Sequence, residues 1–352
     1  MKVPGDDAAR RDAGDDGVGP LAGQRFFIVG GAGFIGSHFT DYLLARPEIA
    51  AVTLYDNFSS GREWHHAHHA GDARLRVVRG KVEDLEALRR AMDGHDVVVH
   101  LASNPDIARA ATEPDVDFWQ GTALTHSVVE AMRTTSARRI LYASGSGVYG
   151  DLGTREAAED HGPLLPVSTY GASKLAGEAL IASYAFMFGL SGCAFRFGNV
   201  VGPRQTHGVG FDFARRLLAD GRALRILGDG SQSKSYVHVT DIVRAVLIAH
   251  GRAARPGGDT HPFATFNVAT GDYITVKEIA DLAVECVGLR PGPGGVRYDF
   301  TGGDRGWKGD VPVVRLDTDR IRALGWRCRM TSREALKASI LAMIPDLRDG
   351  RM

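Results

Sequence analysis

The stretch Arg25-Phe-Phe-Ile-Val-Gly-Gly-Ala-Gly-Phe-Ile-Gly36 decides the fold of this chain. Its first half is a short apolar run that ends in glycine, which is typical of a buried β-strand. Its second half places glycines at 31, 33 and 36 in the pattern G-x-G-x-x-G, and a helical apolar pattern follows over residues 34–45. Such a turn brings the free backbone N–H groups of a helix N-terminus to an anion. The stretch therefore predicts a pyrophosphate-binding loop that opens a βαβ unit.

An acidic residue follows at the distance that such a loop requires. Asp56 lies about 20 residues after the last glycine, at the end of a second apolar run over residues 52–55. A carboxylate at this position accepts hydrogen bonds from ribose hydroxyls and repels a 2′-phosphate. The predicted cofactor is therefore NAD rather than NADP.

Strand and helix patterns alternate along the next part of the chain. Strands are predicted at residues 75–78, 96–101, 139–143 and 192–196, and helices at 83–92, 114–133 and 169–188. This alternation predicts an α/β fold of the Rossmann type, a doubly wound parallel sheet. After residue 203 the segments become shorter and irregular, which indicates a smaller mixed α/β lobe at the carboxyl edge of the sheet.

The chain accordingly divides into three predicted parts. Residues 1–22, rich in Gly, Asp and Ala, are interpreted as a disordered tail. Residues 23–203 form the predicted NAD-binding domain. Residues 204–352 form the predicted substrate lobe, with some exchange of chain between the lobes.

Composition excludes several classes of partner. Lys and Arg number 42, as do Asp and Glu, so the formal net charge is zero and indicates neither a nucleic acid nor a membrane surface as partner. The three cysteines are far apart in the sequence and form neither a metal motif nor a disulfide framework, which favours the cytoplasm. The run Glu63-Trp-His-His-Ala-His-His69 is interpreted as a solvent-exposed loop rather than a zinc site, and no metal is predicted.

The segment Tyr170-Gly-Ala-Ser-Lys174 carries the predicted chemistry. The i, i+4 spacing places both side chains on one helix face. A tyrosine titrates near ~10 in water, but a nearby ammonium group and a nicotinamide cation favour the phenolate. Tyr170 is then able to accept a proton from a sugar hydroxyl while hydride leaves to the nicotinamide, and Lys174 is able to hold the nicotinamide ribose.

Further motifs follow in chain order. They are His100-Leu-Ala-Ser103, Ser144 with Val148-Tyr-Gly150, Phe197-Gly-Asn-Val-Val-Gly-Pro203, Gly228-Asp-Gly-Ser-Gln-Ser-Lys-Ser-Tyr-Val-His-Val-Thr-Asp241 and Leu324-Gly-Trp326. Together with the glycine loop and the Tyr170/Lys174 pair, they resemble the extended short-chain dehydrogenase/reductase family. More narrowly, the chain resembles the nucleotide-sugar epimerases and dehydratases, over about residues 24–345.

The resemblance implies the residues of both binding sites. The implied cofactor site consists of Gly30, Gly33, Phe34, Ile35, Gly36, Asp56, Asn57, Ser60, Val82, Leu101, Ala102 and Ser103, together with Tyr170 and Lys174. The implied substrate is a nucleotide-diphosphate sugar, by default a UDP-sugar, held by Asn199, Arg204, Lys234, Tyr236 and Arg305, with Gln232 as a further candidate. Asn104, which leaves the carboxyl end of the fourth predicted strand, either contacts the substrate as well or belongs to a loop that begins the next helix. Lys234 stands where the family usually has arginine, and the resemblance also implies a homodimer through the two helices predicted at 114–133 and 169–188.

Two departures from the family pattern bear on the reaction. Gly145 stands where the family has a Ser or Thr that hydrogen-bonds the reacting hydroxyl, so Ser144, Ser146 or a water is expected to act instead. Ser146 and Gly147 stand where dehydratases have an Asp-Glu pair, and Gly147 also replaces the glutamate of decarboxylases.

The expected function is therefore C4 epimerisation of a UDP-sugar through a 4-keto intermediate, with Tyr170 as acid and base. An NAD-dependent nucleotide-sugar dehydratase or decarboxylase is the alternative. A non-catalytic NAD-binding regulator is a second alternative.

Overall fold

The computed structural model describes residues 17–104, 106–253 and 262–351. Most of the predicted tail, residues 1–16, lies outside the described residues. Residues 17–22 are described, and they differ from the prediction, because Leu21 is only 2% exposed and packs in the main core. The N–H of Gly23 also donates to the carbonyl of Glu48, so packed structure begins by Leu21 and not after residue 22.

Strands and helices alternate as far as residue 197, and most of the later strands have only two to four residues. The strands are β1 (Arg25–Val29), β2 (Ala51–Asp56), β3 (Leu75–Arg79), β4 (Val97–His100), β5 (Arg139–Gly145), β6 (Glu156–Ala157), β7 (Ser191–Phe197), β8 (Asn199–Val201), β9 (Ala223–Ile226), β10 (Ser233–Lys234), β11 (Tyr236–His238), β12 (Phe263–Val268), β13 (Ile274–Thr275), β14 (Arg297–Phe300) and β15 (Arg315–Leu316). The α-helices are α1 (Phe34–Leu44), α2 (Leu85–Met92), α3 (Leu124–Arg133), α4 (Thr169–Phe188), α5 (Val209–Ala219), α6 (Val239–Ala253), α7 (Val276–Cys286), α8 (Asp319–Ala323) and α9 (Ser332–Arg348). Short helical turns lie at Glu63–His65, Ala67–His69, Ile107–Ala111 and Ser146–Tyr149, and a π-helix spans Phe118–Ala123.

Seven of the strands form one sheet in the order β3-β2-β1-β4-β5-β7-β12. Every neighbouring pair in this sheet is parallel. The order reverses between β1 and β4, so the carboxyl ends of these two strands border the crevice in which open α/β sheets bind ligands. The predicted Rossmann-type fold is confirmed.

The central strands consist of apolar runs because both of their faces are covered by helices. Residues 26–29 of β1 and 98–100 of β4 are buried completely or almost completely. One face carries α1 and α6, and the other carries α2, α3 and α4. Helix α4 begins where the Ser168 hydroxyl accepts the N–H of Gly171, and it ends at Gly189, whose φ of +68° is left-handed.

A second core lies among α5, α7 and α9 and the short strands around them. Helices α7 and α9 each begin with a complete capping box, formed by Thr275 with Glu278 and by Thr331 with Glu334. Helix α6, strand β12 and Trp326 follow residue 203 in the chain but pack on the first core. The chain therefore crosses between the two packed units more than once.

One predicted helix has a different form. The pattern over residues 114–133 predicts a continuous helix, but the structure contains the π-helix Phe118–Ala123 followed by α3. The Thr125 hydroxyl donates to the carbonyl of Gly121 across the junction, which satisfies a backbone group at the change of helical pitch. Among the described helices, none has the length and apolarity that a membrane span requires.

Candidate active site

The glycine loop joins β1 to α1 with the close approaches that the sequence pattern predicts. Gly30 has a φ of +80°, and a Cβ atom there would lie 2.8 Å from the backbone nitrogen of Ala102. A Cβ atom on Gly36 would lie 2.6 Å from the carbonyl oxygen of Gly31. Only glycine fits both positions, so the loop is held tightly under the first turn of α1. Gly33 is the N-cap of α1 and has no side chain to cap it, which leaves the first N–H groups of the helix to an anion.

Asp56 ends β2 beside this loop. Its two carboxylate oxygens accept backbone N–H groups, Oδ2 from Ala32 at 2.9 Å and Oδ1 from Phe58 at 2.8 Å. Burial raises the pKa of Asp56, and these two hydrogen bonds oppose the rise. Each oxygen retains a lone pair for a ribose hydroxyl. The glycine loop and this carboxylate together fit a dinucleotide.

The other predicted cofactor residues lie at the carboxyl ends of neighbouring strands. Asn57 and Ser60 follow β2, and the Asn57 amide oxygen accepts the N–H of Ser59 at 2.9 Å. Val82 follows β3, and residues 101–103 follow β4, where the N–H groups of Leu101 and Ala102 both donate to the carbonyl of Val29. The topology therefore brings all these segments to one edge of the sheet.

Tyr170 and Lys174 lie together in the first turns of α4. The Lys174 ammonium group is 5.4 Å from the centre of the Tyr170 ring and donates to the carbonyl of Ala143 at 2.8 Å. Lys174 is almost fully buried, and burial lowers its pKa to about 8 although the negative charge of Asp117 opposes the change. The predicted pairing of these two side chains is therefore present in the structure.

The electrostatic environment of Tyr170 differs from the prediction. Burial raises the pKa of its hydroxyl, a hydrogen bond with the Ser103 side chain lowers it, and the charge of Asp117 raises it. In the protein alone, burial outweighs the lowering of the Tyr170 pKa that is expected from Lys174. A pKa of about 8 leaves Lys174 mostly protonated at neutral pH, and the nicotinamide cation of bound NAD+ would add a second positive charge that favours the phenolate.

The serines predicted to be catalytic have different surroundings. Ser144 is buried, and its hydroxyl donates to Oε1 of Glu178 at 2.5 Å. Glu178 in turn accepts two hydrogen bonds from the Arg196 guanidinium, Nε at 3.0 Å and a terminal nitrogen at 2.7 Å. Ser144 therefore serves a buried ion pair in this structure, which argues against its predicted catalytic role. Ser146 begins the short turn after β5 and is half-buried.

The structure places the predicted substrate residue Arg204 behind the glycine loop instead. Its guanidinium pairs with Asp41 of α1, contacts His38 and donates to the carbonyl of His65 at 2.8 Å. Arg204 has a φ of +66°, a left-handed conformation at the turn after β8. These contacts use the charge of Arg204 within the protein, which argues against the predicted contact with substrate.

Two other predicted substrate cations contact the same residue, Asp310. Lys234 forms an ion pair with Asp310, and the Arg305 guanidinium donates to the carbonyl oxygen of that same residue. Arg305 also pairs with Asp151 at 2.6 Å, from the loop after the 146–149 turn. The structure therefore brings Lys234 and Arg305 together beside the carboxyl edge of the main sheet.

The remaining predicted substrate residues differ in burial and in the hydrogen bonds that they make within the protein. Asn199 is exposed, and its amide donates to the carbonyl of Ser235 at 3.3 Å. Tyr236 lies in the second core, and burial raises the pKa of its hydroxyl. Asn104 is buried and donates both amide hydrogens within the protein, to Asp117 at 2.9 Å and to the carbonyl of Asp106 at 2.8 Å. A contact between Asn104 and substrate would require this network to rearrange.

Sequence reasoning missed two residues near the site and underweighted one. Asp117 is buried beside Tyr170 and Lys174, where it also accepts the Thr169 hydroxyl at 2.7 Å. Glu178 lies one helical turn beyond Lys174, and an i, i+4 acid on an apolar helix face was the available signal. The amide of Gln232 is buried and has no hydrogen-bond partner among the described residues.

The histidine run is only partly the exposed loop that the sequence predicts, because Glu63, Ala67 and His68 are exposed and His65 is not. His65 is fully buried, and its Nδ1 lies 2.8 Å from the carbonyl oxygen of Ala32 in the glycine loop. His68 and His69 both hydrogen-bond to Asp41 of α1. The short turns at residues 63–69 therefore pack on the phosphate-binding loop and its helix.

This fold and site are those of a dinucleotide-dependent enzyme, and similarity to known proteins supports this class. The model of the NAD dependent epimerase/dehydratase family matches residues 26–269, more than half of the chain, so the chain belongs to that family. Membership confirms NAD as the predicted cofactor and confirms the resemblance stated from the motifs.

The similar proteins described next are all enzymes that act on nucleotide sugars. The UDP-glucose 4-epimerase of Mycolicibacterium smegmatis is 32% identical over 325 residues, which cover 90% of this chain and 97% of that protein. A crystal structure of a UDP-galactose 4-epimerase has a TM-score of 0.79 and 35% identity, covering 92% of this chain and all of the other. A dTDP-glucose 4,6-dehydratase of Streptomyces venezuelae, crystallised with NAD, has a TM-score of 0.81 and 27% identity, covering 93% and 98% of the two chains.

Proposed function

We propose that this protein is an NAD-dependent C4 epimerase of a nucleotide-diphosphate sugar, by default a UDP-sugar. The observation that carries the proposal is the Tyr170/Lys174 pair next to the end of β5, where Lys174 donates to the carbonyl of Ala143, with Ser146 and Gly147 directly after that strand. Dehydration requires a second acid and base to expel water, and a serine and a glycine provide neither. The pair therefore supports proton transfer at one hydroxyl, which is all that epimerisation requires.

The residues of the chain divide the work of this reaction. The glycine loop and Asp56 hold the cofactor, and bound NAD+ supplies a hydride acceptor that later becomes the donor. Tyr170 accepts the proton of the C4 hydroxyl as a phenolate and returns it after the 4-keto sugar has turned over. Lys174 holds the nicotinamide ribose and stabilises the phenolate. The net redox change is zero, so the cofactor stays bound through the cycle.

The Ser103 hydroxyl fits the place left open by Gly145 in this mechanism. The Ser103 side chain is near enough to the Tyr170 hydroxyl to oppose the rise in its pKa, while the Ser144 hydroxyl donates to Glu178. A hydroxyl next to the phenolate relays or stabilises the proton that Tyr170 exchanges. Ser103 and Ser146 are therefore the hydroxyl groups that we assign to the reacting end of the sugar.

Lys234 and Arg305 support a diphosphate on the substrate side. Both cations meet at Asp310 in the protein alone. An anionic diphosphate competes for these donors, since charge-assisted hydrogen bonds to phosphate are among the strongest in proteins. Lys234 acts as a point charge rather than a bidentate fork, so its contact with the substrate is the less directional of the two.

Proton NMR of the purified protein with UDP-glucose, UDP-glucuronate and UDP-N-acetylglucosamine tests the proposal. No NAD is added, and the H4 and anomeric signals are followed as each sugar equilibrates. We expect the C4 epimer to appear from one of the three. Loss of an anomeric signal to a keto or pentose product assigns a dehydratase or decarboxylase, and no change with any sugar favours a regulator.

The substitution Tyr170→Phe separates catalysis from binding. Removing the proton acceptor is expected to lower kcat by about 10²–10⁴-fold, while the bound NAD content stays that of the wild type. Nucleotide content is measured after denaturation of the purified variant. Near-wild-type turnover of Tyr170→Phe contradicts the assigned mechanism.

A further inference from the structure

Asp41, His68 and His69 form a cluster of potential metal ligands behind the glycine loop. Nε2 of His68 and Nε2 of His69 each lie 2.8 Å from the same carboxylate oxygen, Oδ1 of Asp41. The two imidazole rings lie side by side, with centroids 4.1 Å apart. Among the described residues, this is the group of three such side chains whose ligand atoms all lie within 4.8 Å of one another.

The distances fit the coordination sphere of a divalent transition metal. Metal–nitrogen and metal–oxygen bonds to Zn²⁺ are roughly 2.0–2.2 Å, so two ligands at a right angle lie roughly 2.9 Å apart and two tetrahedral ligands roughly 3.4 Å apart. The observed N···O distances of 2.8 Å match the first case. Small side-chain rotations, which the exposure of His68 permits, reach the second.

Arg204 orients the carboxylate of Asp41, and solvent reaches the two histidines. Arg204 occupies the second oxygen, Oδ2, and thereby orients the carboxylate. The His68 side chain is 50% exposed and that of His69 20%, so water has access to the remaining coordination positions.

We propose that Asp41, His68 and His69 form a binding site for a borderline divalent transition-metal ion such as Zn²⁺. Two imidazoles and one carboxylate are a ligand set that such ions favour over Mg²⁺ or Ca²⁺. The protons that now lie on the two Nε2 atoms move to Nδ1 or leave to solvent when the metal binds. Arg204 then acts as an outer-sphere partner of the carboxylate ligand.

The site joins two segments that hold the cofactor loop. Asp41 lies on α1, which begins at the glycine loop, and the two histidines lie on the turn that also places His65 against Ala32. The metal therefore ties the 63–69 turn to α1. The site is independent of the sugar and of the assigned reaction, since none of its ligands belongs to the catalytic pair.

Equilibrium dialysis of the untagged, full-length protein against Zn²⁺ tests the site. We expect the wild type to bind one Zn²⁺ per chain, and His68→Ala and His69→Ala to bind it at least about ten-fold more weakly. His66→Ala is the matched control, because His66 lies in the same run and its ring packs against Phe58 instead. This control is expected to retain wild-type affinity.

A second measurement guards against misfolded variants. Thermal unfolding without metal is expected to be alike in the four proteins, and added Zn²⁺ is expected to raise the Tm of the wild type and His66→Ala only. Absence of Zn²⁺ binding to the wild type at micromolar concentrations overturns the proposal. Equal affinity of the wild type, His68→Ala and His69→Ala overturns it as well.

Discussion

The backbone and surroundings of Gly145 have room for a side chain. Its backbone is extended, with φ of −161° and ψ of 163°, which any residue adopts. A Cβ atom there would lie more than 4 Å from every described atom outside its chain neighbours. The chain therefore accommodates the Ser or Thr of the family pattern at this position without strain, and Ser103 is the hydroxyl that we assign beside Tyr170, at the end of the neighbouring strand.

Moving the hydroxyl group from residue 103 to residue 145 tests the assignment of Ser103. Ser103→Ala is expected to lower kcat by about ten-fold or more, because it removes a hydrogen bond to the acid–base group. Adding Gly145→Ser to that variant is expected to recover much of the loss. The epimerisation rate of the three proteins is the measurement, with Tm as a control for folding. A Ser103→Ala enzyme with wild-type kcat removes Ser103 from the mechanism.

The buried charge of Lys174 is expected to lower the free energy of unfolding at neutral pH. Its pKa of about 8 lies below the ordinary value of ~10.4, so the unfolded chain binds the extra proton in this window and stability rises with pH through it. Lys174→Met is expected to increase the free energy of unfolding at pH 7 by about 1–2 kcal/mol, because the cost of the buried charge exceeds the lost hydrogen bond to Ala143.

Urea denaturation of the nucleotide-free protein measures this gain. The gain is expected to shrink at about pH 9.5, because folded Lys174 is already neutral there and the wild type no longer buries its charge. Activity of the variant is expected to be lost at either pH. A variant that is less stable than the wild type at pH 7 contradicts the prediction.

At the scale of elements, a buried polar network connects β5, α4, β7 and β12. Glu178 and Arg196 form its central ion pair, Arg196 donates to the Tyr149 hydroxyl at 2.9 Å, and this hydroxyl donates to Asn267 at 2.7 Å. Ser144 supplies a further donor to Glu178. The network fixes the helix that carries Tyr170 and Lys174 against the edge of the sheet.

Breaking this network is expected to affect stability before catalysis. Glu178→Gln leaves Arg196 with an unpaired buried charge and is expected to cost about 3–5 kcal/mol in urea denaturation. Ser144→Ala is expected to cost about 1–2 kcal/mol and to leave kcat close to that of the wild type. Glu285→Gln, in an exposed ion pair with Lys337, is the control and is expected to change little. A large loss of kcat in a stable Ser144→Ala protein would restore the catalytic role of Ser144.

The sequence predicts the elements whose pattern is local and misses those set by distant partners. The glycine loop, Asp56 and the Tyr170/Lys174 spacing are fixed by turn and helix geometry, so they could be predicted. The π-helix at 118–123 could not, since its pitch depends on how it packs against α4. Arg204 and His65 were misjudged for the same reason: their partners Asp41 and Ala32 are remote in the chain.

At the scale of the whole molecule, we propose a homodimer. The π-helix and the end of α4 expose large apolar side chains, with Trp119 at 59% and Phe186 at 78% exposure. Phe118 and Met187 lie next to them and are also exposed. Exposed apolar surface of this kind is typical of a protein interface, and a two-fold axis would bury the same patch on both copies.

Trp119→Asp tests this interface. A charge buried in this interface is expected to convert the dimer to a monomer, as measured by light scattering after size exclusion. Leu341→Asp on α9 is the control, because its side chain is also exposed but lies far along the chain. A variant Trp119→Asp with dimeric mass, or a wild type with monomeric mass, contradicts the proposal.

The position of β12 in the main sheet has a consequence for synthesis of the chain. This strand pairs with β7, but the whole of α5 and α6 separates them in sequence. A ribosome adds roughly 5–20 residues per second, so on the order of ten seconds pass between the appearance of the two strands. During that interval β7 presents an open edge to other chains. Nascent copies are therefore most exposed to misassembly, and most in need of a chaperone, while the ribosome translates α5 and α6.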